Sequence, residues 1–398
     1  MSTALMPTYK RLPVAFQRGD GAWLEDTEGR WYLDALSGIA VCGLGHAHPD
    51  VAAAVADQAQ TLVHTSNLYE VPHQSRLGER LCTLSGLDQV FFANSGAEAN
   101  EAAIKLARLY GHNHGIDAPE IIVADNAFHG RTLGALTATG NRRAQTGFGP
   151  LPEGFVRVPY SDAEAIRAAA TDRTVAVFVE PIQGEGGIVV PDDDYLPALR
   201  HLCDEHGWLL MLDEVQSGVG RTGRWFAHQH AGIRPDVVTL AKALANGVPI
   251  GACIAGGSAG GVLGPGSHGT TFGGNPLSSR AALAVLDAID RDDLLERAAM
   301  VGDRIIRGLR EALADVPGVH EIRGRGLMIG IELDGSCAQL VPQALDAGVL
   351  INVTAGRVVR LLPPLTFTSE QADRLVEVLA PLIRQTAEAI AAEPVEPA

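Results

Sequence analysis

Two apolar stretches, Trp208-Leu-Leu-Met-Leu-Asp213-Glu214 and Asp236-Val-Val-Thr-Leu-Ala-Lys242, decide the fold of this chain. Consecutive apolar residues are typical of parallel strands covered on both faces, and each stretch carries a charged side chain where its strand ends. A lone lysine in such a place is costly to bury unless it is paired or chemically engaged. A lysine bonded to pyridoxal phosphate, with an aspartate beside the pyridine nitrogen, explains both charges together. We therefore expect Lys242 and Asp213 to form a pyridoxal-phosphate site.

Strands and helices alternate along the chain around these two stretches. Apolar runs predict strands at residues 90–94, 120–125, 155–160 and 175–180, separated by helices at residues 97–110, near 132, at 163–170 and at 195–206. This alternation predicts an α/β fold with a mainly parallel central sheet covered by helices. In such sheets, ligands bind beyond the carboxyl ends of the strands.

The order of elements changes toward the C-terminus. After long helices at residues 276–290 and 293–314, the sequence predicts a strand pair at 320–323 and 328–333, strands at 349–353 and 358–362, and a final helix from 369. We expect three regions. Residues 1–48 form a segment of antiparallel strands that joins the smaller domain, residues 49–295 form the large cofactor-binding domain, and residues 296–398 form a small α+β domain.

Composition excludes several classes of function. The 398 residues carry a formal net charge of -16, which argues against a nucleic-acid or anionic-membrane surface. The sequence has no 18-residue apolar stretch, and its N-terminus lacks the charged and apolar regions of a secretory signal. The five cysteines are scattered, without a Cys-x-x-Cys pair, which favours free thiols in a reducing cytoplasm.

Two further motifs follow predicted strands. In Asn94-Ser-Gly-Ala-Glu-Ala-Asn-Glu101, residues Ser95, Gly96 and Ala97 can present free backbone amides to a phosphate at a helix N-terminus, although a capped helix start without a ligand has the same pattern. In Phe128-His-Gly-Arg-Thr132, the aromatic ring can stack on a flat heterocycle and Arg131 can bind a carboxylate, although the motif taken alone favours a core aromatic and a surface arginine.

Two other patterns in the sequence could indicate sites for a different ligand. Gly218-Val-Gly-Arg-Thr-Gly223 matches G-x-G-x-x-G, but a dinucleotide site needs this run directly between a strand and a helix, and Asp213 to Ser217 intervene. The alternative of a nucleotide-binding or cofactor-free regulatory protein depends on that run. His201 and His206 do not share a helical face, so they do not form a zinc site, and no metal is expected.

Together these motifs resemble the class III pyridoxal-phosphate-dependent aminotransferases, over residues 9–383. The similarity lies in six segments in the family's order: residues 94–101, 128–132, 180–187, 212–223, 239–247 and 270–276. Within the class the chain is most similar to the acetylornithine aminotransferases, through Gly38-Ile-Ala-Val41, Gly45-His-Ala-His-Pro49 and the segment at 128–132. The resemblance implies the fold type I of pyridoxal-phosphate-dependent transferases.

The resemblance also implies the cofactor contacts. Lys242 bonds covalently to pyridoxal 5'-phosphate and moves a proton between substrate and cofactor, Asp213 pairs with the pyridine N–H, and Gln216 hydrogen-bonds the phenolic oxygen. Phe128 stacks on the ring. The remaining cofactor contacts that it implies are Ser95, Gly96, Ala97, Thr270 and Thr271, of which Thr271 reaches the phosphate from the neighbouring subunit of a homodimer with shared active sites.

The implied reaction moves the distal amino group of N2-acetyl-L-ornithine to 2-oxoglutarate in a ping-pong cycle, as a step of arginine biosynthesis. Glu185 and Arg360 correspond to a switchable ion pair: Glu185 neutralises Arg360 for the amine donor and moves away when glutamate binds. Arg131 holds the distant carboxylate in both half-reactions. Ile39 stands where ornithine aminotransferases are expected to carry a tyrosine, which favours an acylated α-nitrogen.

Several alternatives stay open at this stage. Cys42 departs from the asparagine expected in bacterial acetylornithine enzymes, so ornithine, succinylornithine or succinyl-diaminopimelate remain possible substrates. An aminomutase, a racemase or a dialkylglycine decarboxylase of the same fold would share the cofactor but catalyse another reaction. The Glu185–Arg360 pair and Arg131 favour transamination with glutamate.

Overall fold

A computed structural model describes residues 4–392 of the chain. The strands are β1 (Phe16–Asp20), β2 (Trp23–Asp26), β3 (Trp31–Asp34), β4 (Gln89–Ala93), β5 (Glu120–Ala124), β6 (Phe155–Val158), β7 (Thr174–Val179), β8 (Leu209–Asp213), β9 (Val237–Leu240), β10 (Gly251–Ala255), β11 (Val319–Arg325), β12 (Met328–Leu333), β13 (Val349–Leu350), β14 (Asn352–Thr354) and β15 (Val358–Leu361).

The helices lie between these strands and at the C-terminal end of the described chain. They are α1 (Ser37–Ala40, a single turn), α2 (Pro49–Thr61), α3 (Pro72–Ser85), α4 (Gly96–Asn113), α5 (Leu133–Ala138), α6 (Arg142–Gln145), α7 (Ala163–Ala169), α8 (Tyr195–His206), α9 (Pro276–Arg291), α10 (Leu294–Ala312), α11 (Leu340–Asp346) and α12 (Ser369–Ala392). Within residues 4–392, none of them combines the length and the apolar character needed to cross a membrane.

The central sheet has seven strands in the order β4-β10-β9-β8-β7-β5-β6. The β9-β8-β7-β5-β6 pairs are parallel, whereas β10 runs antiparallel to both of its neighbours. Every residue of β5, β7, β8, β9 and β10 is buried, because helices cover both faces of the sheet. The predicted α/β class with a mainly parallel central sheet is confirmed.

Two smaller sheets connect the ends of the chain. The N-terminal strands β1, β2 and β3 are antiparallel, and β3 then pairs in parallel with β13, through Leu33 and Val349. The second small sheet, β11-β12-β15-β14, is antiparallel throughout and packs against α10. The N-terminal strands therefore hydrogen-bond to the C-terminal part of the chain, while the boundaries at 48/49 and 295/296 stay a prediction.

The sequence-based prediction differs from the structure in three strands. The sequence pattern predicts neither β1 nor β10. In β10, four of the five residues are small, and they do not alternate with polar ones (Gly251-Ala-Cys-Ile-Ala). The single strand predicted at 349–353 is wrong: the chain divides there, so that β13 pairs with β3 and β14 pairs with β15. An apolar run alone does not show with which strand each of its residues pairs.

Replacing Gly251 by alanine should destabilise the protein. A β-carbon at Gly251 would lie 2.3 Å from the carbonyl oxygen of Ser95, so backbone would have to move. We expect the free energy of unfolding in urea to fall by about 1–3 kcal/mol, as for overpacked cores. Gly264→Ala is the control, because open space surrounds Gly264, and it should change the free energy by less than about 0.5 kcal/mol. Equal effects of the two substitutions would contradict this.

Candidate active site

Lys242 and Asp213 lie together at the carboxyl ends of adjacent strands. Asp213 is the last residue of β8, and it is paired with Thr239 of β9. Lys242 follows β9 and begins a short 3-10 turn with φ of 43°, a left-handed conformation that lets the chain change direction at the strand end. Both side chains line one cavity of about 370 Å³. This cavity lies where ligands bind in α/β sheets.

The cavity brings together most of the residues that the sequence singled out. Its lining includes the residues Ser95, Gly96, Ala97, Phe128, Arg131, Asp213, Gln216 and Lys242. Glu185 instead lines an adjoining cleft of about 1240 Å³, which shares Phe128 and Arg131 with the cavity. Thr270, Thr271, Ile39 and Arg360 line neither of these two spaces.

Asp213 is fixed by two side chains to which the sequence analysis gave no role. Its Oδ2 accepts a hydrogen bond from Asn100 Nδ2 at 2.8 Å and lies 2.8 Å from His129 Nδ1. Its Oδ1 accepts one from Val215 N at 3.0 Å. The His129 ring stacks on Phe178, with centroids 4.3 Å apart. These contacts hold the carboxylate in one orientation at the cavity wall, where Asp213 is only 4 % exposed.

The N-terminus of α4 forms the polar end of the cavity. Ser95 is the N-cap, and its Oγ accepts a hydrogen bond from Glu98 N at 3.2 Å. Backbone amides of the first turn are free at such a helix end, where the helix dipole favours an anion. A β-carbon at Gly96 would lie 2.7 Å from Val215 Cγ1, so glycine allows the close packing of this turn. The arrangement suits a phosphate group.

Phe128 and Glu180 are held against each other through the backbone. Phe128 N donates to Glu180 Oε2 at 3.0 Å, and Gly184 N donates to Glu180 Oε1 at 3.2 Å. Burial, followed by the negative charge of Asp213, raises the pKa of Glu180 to about 8. The Arg131 guanidinium lies 5.6 Å from the centroid of the Phe128 ring and is exposed. Sequence reasoning assigned no function to Glu180.

Glu185 and Arg360 form an ion pair, with 2.5 Å between Oε1 and Nη1. Arg360 is fully buried on β15, and Glu185 is 35 % exposed at the cleft. Arg360 also donates to Asn352 Oδ1 at 3.1 Å and to Gln216 Oε1 at 3.2 Å. Burial works to raise the pKa of Glu185, but the Arg360 charge outweighs it and holds that pKa below its usual value.

The amine of Lys242 is made easier to deprotonate by its surroundings. Burial lowers the pKa of Lys242 below its usual value, and the charges of Glu185 and Asp213 oppose this effect. A lysine whose pKa is lowered is neutral for a larger fraction of the time. It can therefore act as a nucleophile or as a base at its Nζ.

Thr270 and Thr271 lie on the segment between β10 and α9. Thr270 Oγ1 accepts a hydrogen bond from Asn94 Nδ2 at 3.3 Å, next to the N-cap of α4. Thr271 is exposed. Their predicted cofactor contacts, including the one from a neighbouring subunit, stay a prediction.

Ile39 belongs to a left-handed turn. Four consecutive residues of α1, from Ser37 to Ala40, have φ between 47° and 65°. This conformation costs about 1–2 kcal/mol for each residue other than glycine. Asp34 offsets the cost, because its Oδ1 accepts from Leu36 N at 2.9 Å and Ser37 N at 2.8 Å. Ile39 packs beside Ile182, Ile188 and Leu362.

The other oxygen of Asp34 binds His46. Its Oδ2 lies 2.7 Å from His46 Nε2. Burial alone would lower the pKa of His46, but its interactions with Asp34 and Cys42 outweigh burial and raise that pKa to about 9. His46 is therefore a cation at neutral pH, and it holds Asp34 in place as the acceptor for the left-handed turn.

The run Gly218–223 does not have the geometry of a dinucleotide site. No α-helix follows it directly, and the next helical element is the 3-10 segment Ala227–Ala231. Arg221 within the run is buried, and its Nη1 donates to the carbonyls of Leu327 and Pro363. The run therefore connects the large sheet to the C-terminal sheet and leaves the rival nucleotide-binding interpretation without support.

The family of the chain follows from comparison with known proteins. The family model described as "Aminotransferase class-III" matches residues 5–383. The chain therefore belongs to the class-III aminotransferases, which confirms the resemblance and the prediction of a transaminase.

Two similar proteins within this class are named acetylornithine aminotransferases. The chain is 59 % identical over 387 residues to acetylornithine aminotransferase 1 of Bordetella bronchiseptica, covering 97 % of this chain and 98 % of that protein. It is 56 % identical over 381 residues to the acetylornithine aminotransferase of Nitrosomonas europaea, covering 95 % and 97 %.

Solved structures share the fold. The ornithine aminotransferase of Toxoplasma gondii ME49 has a TM-score of 0.92 and 35 % identity, covering 96 % of this chain and 93 % of that one. Another structure of the Toxoplasma enzyme has partial occupancy of PLP at its active site. The acetylornithine aminotransferase of Elizabethkingia anophelis has a TM-score of 0.85 and 34 % identity, covering 96 % of each chain.

The Asp34–His46 pair should make stability depend on pH. The pKa of His46 rises from 6.5 to about 9 on folding, so its stabilising contribution is complete below pH 6.5 and is lost as the pH rises toward 9. His46→Gln should flatten the fall in unfolding free energy over this interval. Urea unfolding at several pH values measures it, with His320→Gln at the exposed pair with Asp334 as control. Identical pH slopes in wild type and His46→Gln would be the contrary result.

Proposed function

We propose that this protein is a pyridoxal-phosphate-dependent aminotransferase that acts on N2-acetyl-L-ornithine and 2-oxoglutarate. Its products are N-acetyl-L-glutamate 5-semialdehyde and L-glutamate, in a step of arginine biosynthesis. The observation that carries this proposal is the buried Arg360 paired with the partly exposed Glu185 next to the Lys242 cavity. The relatives that are 56–59 % identical and named acetylornithine aminotransferases support the choice of substrate.

The residues of the cavity fit pyridoxal phosphate. An amine, a carboxylate with two fixed partners, an aromatic ring and a helix N-terminus meet around about 370 Å³. When bound, the cofactor supplies an electron sink for the substrate carbon that loses a proton. Lys242 would bind the cofactor covalently. Asp213 would accept a hydrogen bond from the pyridine N–H of the cofactor, and Gln216 would hydrogen-bond its phenolic oxygen.

The other contacts hold the cofactor at its face and at its phosphate. Phe128 would stack on the ring, and the amides that follow Ser95 would bind the phosphate. Asn100 and His129 orient the Asp213 carboxylate, so that it would accept a hydrogen bond from the pyridinium N–H in one geometry. The lowered pKa of Lys242 favours a neutral Nζ, which can take a proton from the substrate carbon and return it.

Two arginines let one pocket serve two substrates. An amine donor that reacts through its distal nitrogen brings no carboxylate near Arg360, and Glu185 then neutralises the buried cation. A glutamate α-carboxylate would take the place of Glu185. Arg131 is exposed where the cavity meets the cleft, and it can hold the distant carboxylate of either substrate.

We propose further that the protein forms a homodimer and is located in the cytoplasm. Asn67 Nδ2 donates to the carbonyls of Thr270 and Gly273 at 3.2 Å each, so the segment that carries Thr271 lies beside the one that follows Asn67. Exposed apolar side chains occur on both segments: Phe272 (60 % exposed), Leu68 (86 %) and Tyr69 (70 %). Such a surface is typical of a subunit interface, which supports a contact of Thr271 with the neighbouring site. All five cysteines are free, which supports a reducing compartment.

Lys242→Ala should abolish covalent binding of the cofactor. The chain has three lysines, and Lys10 and Lys105 are exposed, so a borohydride-reduced adduct can be located by mass spectrometry. We expect the wild type and the control Lys105→Ala to carry the adduct at Lys242 and to turn over. Lys242→Ala should carry none and should show no steady turnover. An adduct elsewhere, or turnover above background, would argue against the role of Lys242.

A panel of amine donors tests the substrate. Acetylornithine, succinylornithine, ornithine and γ-aminobutyrate are each supplied with 2-oxoglutarate, and glutamate formation is measured. We expect kcat/KM for acetylornithine to exceed that for ornithine by at least about tenfold, because the aliphatic Ile39, which packs against Ile182 and Ile188 on either side of Glu185, gives a charged α-amine no partner. A preference for ornithine, as in the Toxoplasma enzyme's name, would overturn the substrate choice. An absence of glutamate formation would favour a mutase, racemase or decarboxylase.

A further inference from the structure

The loop that carries Glu185 is closed on itself. It follows β7, and Gln183 and Val189 close it with two backbone hydrogen bonds of 3.0 Å each. Inside it, Gly187 and Ile188 have φ of 118° and 52°. These left-handed conformations direct the two carbonyls of these residues away from the loop, toward the C-terminal sheet. The backbone around Glu185 therefore presents carbonyl groups to which hydrogen-bond donors from other elements can bind.

Arg323 of β11 supplies those donors. Its Nη2 donates to Gly187 O at 2.7 Å, and its Nε donates to Ile188 O at 2.9 Å. The third nitrogen, Nη1, donates to Glu332 at 2.5 Å and to Glu321 at 2.7 Å. The side chain is only 12 % exposed. Every nitrogen of this guanidinium is thus engaged, in a fork geometry that only arginine provides.

A second residue of the C-terminal sheet holds the same loop. Thr354 Oγ1 donates to the carbonyl of Glu185 at 2.5 Å. By contrast, the Glu185 carboxylate is 35 % exposed, and within residues 4–392 its polar partners are Arg360 and, at 3.4 Å, Gln216. The backbone of Glu185 is fixed while its side chain faces the cleft. An exchange of partners at Arg360 then requires rotation of the Glu185 side chain and no movement of the loop.

We propose that Arg323 is a positioning residue for this exchange: by holding the carbonyls of Gly187 and Ile188, it keeps Glu185 where its carboxylate can return to Arg360 each time a substrate carboxylate leaves. This role rests on the proposed dual-substrate function, whereas the loop contacts themselves need no substrate. Arg323 also lies in the wall of the cleft that includes Glu185 and Arg131, so it acts at the substrate entrance.

The consequences for the two half-reactions are unequal. Without Arg323 the Glu185 carboxylate would pair with Arg360 for less of the time. The acetylornithine half-reaction, which needs Glu185 to neutralise Arg360, should suffer because an unpaired buried cation faces the substrate. The glutamate half-reaction displaces Glu185 in any case, so it should change little. A merely structural role of Arg323 would affect both half-reactions alike.

The test compares Arg323→Gln with Arg357→Gln. Arg357 pairs with the same Glu332 and lines the same cleft, but no hydrogen bond joins its side chain to residues 184–188. In single-turnover half-reactions followed by the absorbance of the holoenzyme, Arg323→Gln should lower kcat/KM for acetylornithine by about tenfold or more and leave that for glutamate within about twofold. Arg323→Lys should recover part of the loss. Arg357→Gln removes a cleft charge that both substrates meet, so it should leave the ratio of the two kcat/KM values within about twofold of the wild type.

Hydrogen exchange supplies a readout that is independent of activity. Without substrate, the amides of residues 183–190 should exchange faster in Arg323→Gln than in the wild type, and at the wild-type rate in Arg357→Gln. Unchanged exchange, or an equal loss in both half-reactions, would overturn the role of Arg323. If the wild type does not react with acetylornithine at all, the proposed function fails, and the exchange comparison still decides whether Arg323 holds the loop.

Discussion

The enclosure of acidic and basic groups in the Lys242 cavity, and in the Glu185–Arg360 pair next to it, constrains much of this structure. Lys242 and Arg360 are the basic groups, and Asp213, Glu180 and Glu185 are the acidic groups. Burial lowers the pKa of Lys242 and raises that of Glu180, which shows that the surroundings favour neutral groups. Charges persist in such a place only where partners lie within hydrogen-bonding distance. The architecture brings those partners together from different elements of the fold.

The partners come from different parts of the molecule. Asp213 and Lys242 follow two adjacent strands of the central sheet, whereas Arg360 comes from the C-terminal sheet. The Glu185–Arg360 pair therefore joins the two sheets, and Arg221 joins them again from another side. A relative displacement of the two sheets would separate charges that burial does not allow to stand alone. The electrostatics of the site and the position of the C-terminal sheet depend on each other.

Much of the fold and of the candidate site could be predicted from the sequence, for reasons that are local. Consecutive apolar residues indicate buried parallel strands, and charged residues at their ends indicate a ligand site. What could not be predicted depends on contacts between distant segments. In the sequence, Asn100 has the pattern of an ordinary helix residue. Only the fold shows that it hydrogen-bonds Asp213, which lies 113 positions further along the chain. The division of residues 349–354 between two sheets, and the hydrogen bonds of Glu180 to Phe128 and Gly184, depend on similar contacts.

Two glycines in the wall of the cavity pack tightly against their neighbours. A β-carbon at Gly96 or Gly130 would come within 2.7–2.8 Å of neighbouring atoms. A larger side chain at either position would therefore force neighbouring atoms to move, whatever the substrate. Residues at the rim, such as Val353 and Arg357 in the wall of the outer cleft, are under no such steric restriction from a glycine. Divergence in substrate range within this lineage, or its redesign in the laboratory, should therefore begin at the rim and leave the floor unchanged.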